Sequence, residues 1–145
     1  MLFRSCMDWS ELAELATDPL CTIGAHTVNH MILKKVPSEK TVRAEMEMSR
    51  AVIEAALGKR PQHLAYPMVD PASAGSREFR IAAELGFKSA VTMRPGVLFK
   101  AHLDHLTALP RIPVNGEFRQ QRYLKVLMSG AGTAFTNRFR RVNAA

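Results

Sequence analysis

Sulfur chemistry has little to work with in this chain, because its 145 residues include only two cysteines, Cys6 and Cys21. Two are too few for a disulfide scaffold, and they lack the CxxC spacing of a metal or redox pair, so they read as ordinary thiols. Long apolar runs are missing as well. The longest charge-free stretch, Pro19 to Leu33, contains two histidines, an asparagine and a glycine, which rules it out as a membrane span. Arg4 and Asp8 interrupt the N-terminus, so no secretory signal is read and a cytoplasmic location is expected for the chain as written. No internal repeat or low-complexity linker is found. At 47% hydrophobic and 23% charged residues, disorder, collagen and coiled coil are excluded in favour of one globular domain. A complete eight-unit α/β barrel is excluded too, since that architecture takes roughly 250 residues and rarely fewer than about 200.

Charge is present but uneven. The formal net charge is +7, and residues 101–145 supply most of it, with seven Lys/Arg against Asp104 and Glu117. Arg138, Arg140 and Arg141 form the basic cluster. Only Phe135 and Phe139 interleave with it, so a solvated basic end is the preferred reading over a nucleic-acid contact. Residues 129–145 are expected to fray as a basic tail behind a domain spanning residues 1–128.

Periodicity organises the rest. Asp8 with Glu11 forms a capping-box pattern for a short helix through Leu12, Leu15 and Ala16, stopped at Asp18-Pro19. Leu20 to Ile23 reads as a short buried strand ended by Gly24. Pro37-Ser38 opens the longest helix, with Val42, Met46, Ile53 and Leu57 near helical spacing and Gly58 as its C-terminal cap. His63 to Tyr66 is a second strand, ended by Pro67. Ser76 is expected to cap a helix through Phe79, Ala83 and Leu85 that stops at Gly86. Phe87 to Thr92 is a third strand, Pro95-Gly96 a turn, Ile112 to Val114 a short strand, and Phe118 to Met128 a helix. Strand, helix, strand, helix, strand in this order predicts an α/β fold of consecutive βαβ units with parallel strands. Only one short helix precedes the first strand, so the sheet is expected to be incomplete on that side, with an edge open to self-association.

Ligand chemistry in such folds sits at the carboxyl ends of strands. Directly after the first strand stands Gly24-Ala25-His26-Thr27-Val28-Asn29-His30. Were this segment helical, His26 and His30 would share a face and meet one metal, for which neutral imidazole suits zinc, cobalt, nickel or iron. The competing reading is a pair of capping or surface histidines; the position at a strand end favours the metal. Thr27 could orient a ligand or bond backbone. A catalytic metal usually takes three protein ligands, and Asp70 is the best local carboxylate, although a turn residue before Pro71 is the commoner role for such an aspartate. After the next strand, Pro67 fixes the chain and could leave the Tyr66 amide facing the site as an oxyanion donor. The alternative for Tyr66 is an aromatic ring packing a strand end.

His26-Thr27-x-x-His30, preceded by Ile23-Gly24-Ala25, resembles the His-Ser/Thr-x-x-His metal motif of the polysaccharide deacetylase family, carbohydrate esterase family 4. The order that follows is similar as well: Leu64-Ala65-Tyr66-Pro67, Arg77-Glu78, Gly86-Phe87, Ala90-Val91-Thr92, Arg94-Pro95-Gly96 and Leu109-Pro110-Arg111-Ile112. The resemblance implies a deformed (β/α) barrel, here partial, that binds a divalent metal, most often zinc with cobalt or nickel as alternatives. It further implies hydrolysis of N-acetyl or O-acetyl groups on sugars such as chitooligosaccharides or peptidoglycan. It makes His26 and His30 metal ligands, Tyr66 an oxyanion donor through its amide, and places Tyr66, Pro67 and Asp70 along the substrate. The family's first motif, Thr-Phe-Asp-Asp-Gly, has no counterpart in this sequence and belongs upstream of residue 8; Val69 stands where relatives commonly have glycine. The late Leu-x-His motif finds only His102 and His105 nearby, which read as surface histidines. The expectation is therefore a deacetylase domain without its first strand or strands, impaired or inactive because the base and the anionic ligand are missing, with a non-catalytic glycan-binding or oligomerising remnant as the alternative.

Overall fold

In the computed structural model, residues 6–68, 73–112, 114, 120–136 and 138–140 are described. The chain opens with helix α1, Trp9–Leu15. Its start is set as the capping box predicts: Asp8 Oδ1 accepts from the Glu11 amide at 2.9 Å and Glu11 Oε2 accepts from the Asp8 amide at 2.8 Å. Helix α2, Glu39–Leu57, is capped by the Ser38 hydroxyl on the Thr41 amide and closed by Gly58 in the left-handed region at φ 69°. Its buried residues fall at Val42, Glu45, Met46, Ser49 and Arg50, one continuous stripe at helical spacing. Strand β1 is His63–Ala65, helix α3 Ser76–Glu84, strand β2 Ser89–Pro95 and strand β3 Leu109–Arg111. Helices α4, Gln121–Met128, and α5, Ala131–Thr136, end the described chain. Two 3-10 segments intervene, Leu33–Lys35 and Lys100–Ala108, the second broken at His105.

The three strands form one parallel sheet in the order β1-β2-β3, with Leu64 opposite Ala90 and Val91 opposite Leu109. Consecutive parallel strands joined through a helix are the expected α/β arrangement. The sheet and the stripe of α2 share a core of Leu33, Val42, Met46, Leu64, Ile81, Ala82 and Ala90, each at most 2% exposed. Among the described residues, no helix is long and apolar enough to cross a membrane.

Four expectations change. Leu20 to Ile23 is not a strand. Leu20 is 95% exposed, and the segment meets β1 at one residue only, Ala25 opposite Leu64; a short apolar, β-branched run does not make a strand where no partner runs alongside it. Ser76 is the first residue of α3 rather than its cap: Gly75 holds that position, its amide donated to Glu78 Oε2 at 2.7 Å. The strand expected at Ile112 to Val114, of which residue 113 lies outside the described residues, is found three residues earlier, at Leu109–Arg111, where β2 supplies the ladder. Pro110 is tolerated there because β3 is an edge strand of this sheet. The segment from Ser129, expected to fray, carries α5.

Polar side chains lock the layers together. Arg77 reaches from α3 to the carbonyls of Leu33 and Val36 at 2.9 and 2.8 Å and to the Glu78 carboxylate at 2.7 Å. Arg50 donates to the Leu85 carbonyl at 2.6 Å and lies over the Phe87 ring. Truncation of a fully buried methionine leaves a cavity that this packing cannot fill. Met46→Ala is therefore expected to lower stability by about 2–5 kcal/mol in urea unfolding, while Met48→Ala, on the exposed face of the same helix, stays within about 0.5 kcal/mol. Equal losses would place the core elsewhere.

Candidate functional site

The site begins at Ala25. Its amide donates to the His63 carbonyl at 2.8 Å and its carbonyl accepts from the Ala65 amide at 2.9 Å, which pins one residue of the incoming chain against β1. Gly24 permits that approach, since a Cβ there would lie 3.1 Å from the His63 carbonyl oxygen. The next residue, His26, places its ring Nδ1 2.7 Å from the Ala65 carbonyl. A carbonyl only accepts, so Nδ1 carries a proton, and in the neutral ring Nε2 is then the bare nitrogen, the tautomer in which an imidazole ligates a metal through Nε2.

His26 and His30 come together, but not on a helix face. Thr27 and His30 sit at φ 60° and 51°, so the segment turns through the left-handed region twice, and the rings meet edge to face with centroids 4.9 Å apart. Both rings are exposed. Helix α2 holds this turn. The Glu45 carboxylate takes the amides of Val28 and Asn29 at 3.1 and 2.9 Å on one oxygen and the Asn29 side-chain amide on the other. Ser49 Oγ accepts from the His26 amide at 3.3 Å. Burial opposes ionisation of Glu45, but the hydrogen bonds from Asn29 and Val28 outweigh it and hold its carboxyl below the usual range.

The donor set partly fits a divalent ion. Two imidazoles this close, one fixed with Nε2 bare, lie within reach of a single ion with bonds of about 2.0–2.1 Å. Thr27 Oγ1, on the residue that follows His26 in sequence, is buried without a hydrogen-bond partner among the described residues. Among the described residues, however, no group of three His, Cys, Asp or Glu side chains assembles, so the pair accounts for only part of a ligand set.

Tyr66 and Pro67 take other roles than expected. The Tyr66 amide donates to the Val91 carbonyl at 3.0 Å within the ladder, so it is not available as an oxyanion donor. Its ring is 3% exposed, packs on Phe79 and donates its hydroxyl to the Thr107 carbonyl at 2.8 Å; burial and then the nearby Glu78 push the phenol above its ordinary value. Pro67 is fully buried. Both are buried residues of the core here. Asp70 and Val69 lie outside the described residues. His102 is also corrected: it is 3% exposed, stacked on Phe99 and accepting the Phe99 amide at Nδ1, whereas His105 is exposed as expected. Glu45 and Ser49 were missed, although both fall on the buried stripe of α2, where a carboxylate and a hydroxyl call for partners.

A family model for polysaccharide deacetylases matches residues 4–90, more than half of the chain. The chain belongs to the polysaccharide deacetylase family. No curated protein matches it. Among solved structures, this deacetylase-family chain is similar to the Streptococcus pyogenes deacetylase PplD in complex with acetate, with a TM-score of 0.71 and 24% identity over 83% of this chain and 50% of that one. It is also similar to the deacetylase domain of BpsB from Bordetella bronchiseptica, with a TM-score of 0.58 and 19% identity over 72% of this chain and 48% of that one. The chain thus spans about half the length of each, and the likeness establishes a partial (β/α) fold of the deacetylase type.

The depressed Glu45 carboxyl has a pH consequence. Below the ordinary carboxylate pKa of about 4.3 the unfolded chain gains a proton before the folded one does, so the stability that Glu45 contributes is present above that value and lost as pH falls through its lower folded value. Urea midpoints compared between about pH 6 and about pH 3 should fall less for Glu45→Gln than for the parent chain. Identical pH slopes would mean that the carboxylate is not held by the loop.

Proposed function

We propose that this chain forms part of a metal-dependent deacetylase that releases acetyl groups carried as N-acetyl or O-acetyl substituents on sugars, chitooligosaccharide-like substrates among them. His26 and His30 are its imidazole ligands for a divalent ion, zinc before cobalt or nickel. The observation that carries the reading is the convergence of the two rings at a strand end, with the His26 tautomer set by the Ala65 carbonyl. When bound, such an ion supplies Lewis acidity toward an acetyl carbonyl.

The chain's own groups supply the rest of the argument. The Ala65 carbonyl holds the Nδ1 proton of His26, so Nε2 is the nitrogen that would face an ion. The exposure of both rings leaves the site open to a bulky polymeric substrate. The Tyr66 amide is occupied by Val91, so oxyanion stabilisation is not assigned to it. A general base is not assigned either, because no Asp-Asp pair occurs in the sequence. Hydrolysis by this chain alone is therefore proposed to be severely impaired: losing both a base and an anionic ligand removes at least about 4 kcal/mol of barrier lowering, or roughly a thousandfold in rate.

Acetate release from acetylated chitooligosaccharide with added zinc or cobalt tests both halves. Turnover at least about a thousandfold below that of the PplD or BpsB deacetylase domains is expected, together with zinc binding that His26→Ala and His30→Ala each weaken. Turnover equal to those enzymes would contradict the impairment. Zinc retention indifferent to both substitutions would contradict the site.

A further inference from the structure

We propose that Glu45 is the positioning residue of the paired imidazoles: its carboxylate, not a helical backbone, keeps His30 convergent with His26. The inference rests on the reading of these two histidines as metal ligands. A left-handed conformation at two non-glycine residues within four persists only where the surroundings fix it, and Thr27 and His30 are such residues. Between them, the consecutive amides of Val28 and Asn29 both point at one Glu45 oxygen, an amide concavity filled by an anion. The second oxygen takes the Asn29 side chain.

The two rings depend on this clamp unequally. His26 has independent anchors in the Ala65 carbonyl on its ring and the Ser49 hydroxyl on its amide. For the His30 ring, the described residues provide no hydrogen bond, only its edge contact with His26. Its placement follows from the backbone turn, and the turn is held by Glu45. Three donors converge on two acceptor oxygens, so a carboxylate satisfies the clamp and an amide of the same shape does not. In Glu45→Gln, either orientation of the side chain turns an NH2 toward an N–H.

The test is zinc titration calorimetry on the full chain near neutral pH, for the parent, Glu45→Gln, His30→Ala and the double variant, with circular dichroism confirming equal folding. Loss of an outer residue that orients a ligand typically weakens metal binding by about 10–100-fold, and that is expected for Glu45→Gln. In the His30→Ala background the same change should cost nothing further, because the residue it positions is gone; a merely structural role would lower affinity equally in both. If Glu45→Gln does not fold, Asn29→Ala at an exposed position removes one leg of the clamp and should weaken zinc by a smaller factor, again only when His30 is present. Parent-like affinity in Glu45→Gln, or in Asn29→Ala where that variant stands in, overturns the proposal, as does an equal loss without His30. A parent chain that gives no heat with zinc overturns the metal reading and this inference with it.

Discussion

One backbone pairing carries the site. Ala25 is the single residue of the incoming segment that joins the sheet, and it does so with both its amide and its carbonyl. Because Ala25 is fixed, His26 emerges at the end of β1 with its ring against the next free carbonyl, that of Ala65. The position that α/β folds reserve for chemistry, the carboxyl ends of parallel strands, is thus reached through one residue of pairing rather than a full strand. The contact is short because β1 is short, and Gly24 allows it by leaving room at the His63 carbonyl.

Helix α2 contributes to the core and the site from one face. Val42 and Met46 fill the interior, while Glu45 and Ser49, on the same stripe, turn toward the loop that bears the histidines. Placing polar groups among buried ones costs free energy unless each finds its partners, and here they do. Fold stability and placement of the two histidines therefore share a helix, so a change that shifts α2 is felt in both. The Arg77 links from α3 to the Leu33 and Val36 carbonyls secure the chain between the loop and α2.

Much of this was legible in the sequence where local chemistry decides the outcome. The Asp8–Glu11 box, the Ser38 and Gly58 limits of α2 and the left-handed stop at Gly86 are set by residues within a few positions of one another. Non-local pairing was not legible. Leu20 to Ile23 has the residues of a strand but no partner of that length, and β3 forms at Leu109 rather than Ile112 because β2 fixes the register. The Tyr66 amide illustrates the same limit, since nothing near it in sequence shows that Val91 will accept its proton. The histidine pair was found from its spacing at a strand end, although a left-handed turn and not a helix brings the rings together. Glu45 left a trace, a carboxylate in step with Val42 and Met46, that becomes meaningful only once its partners across the fold are known.

Hydrogen bonding to the Ala65 carbonyl fixes a proton on Nδ1 of His26 and, in the neutral ring, leaves Nε2 bare. Long-range nitrogen–proton correlation spectroscopy of the histidine side chains, at a pH where the rings are neutral, reads the tautomer directly. His26 is expected in the Nδ1–H form, held there by the Ala65 carbonyl. An Nε2–H form, or an even mixture of the two, would contradict it.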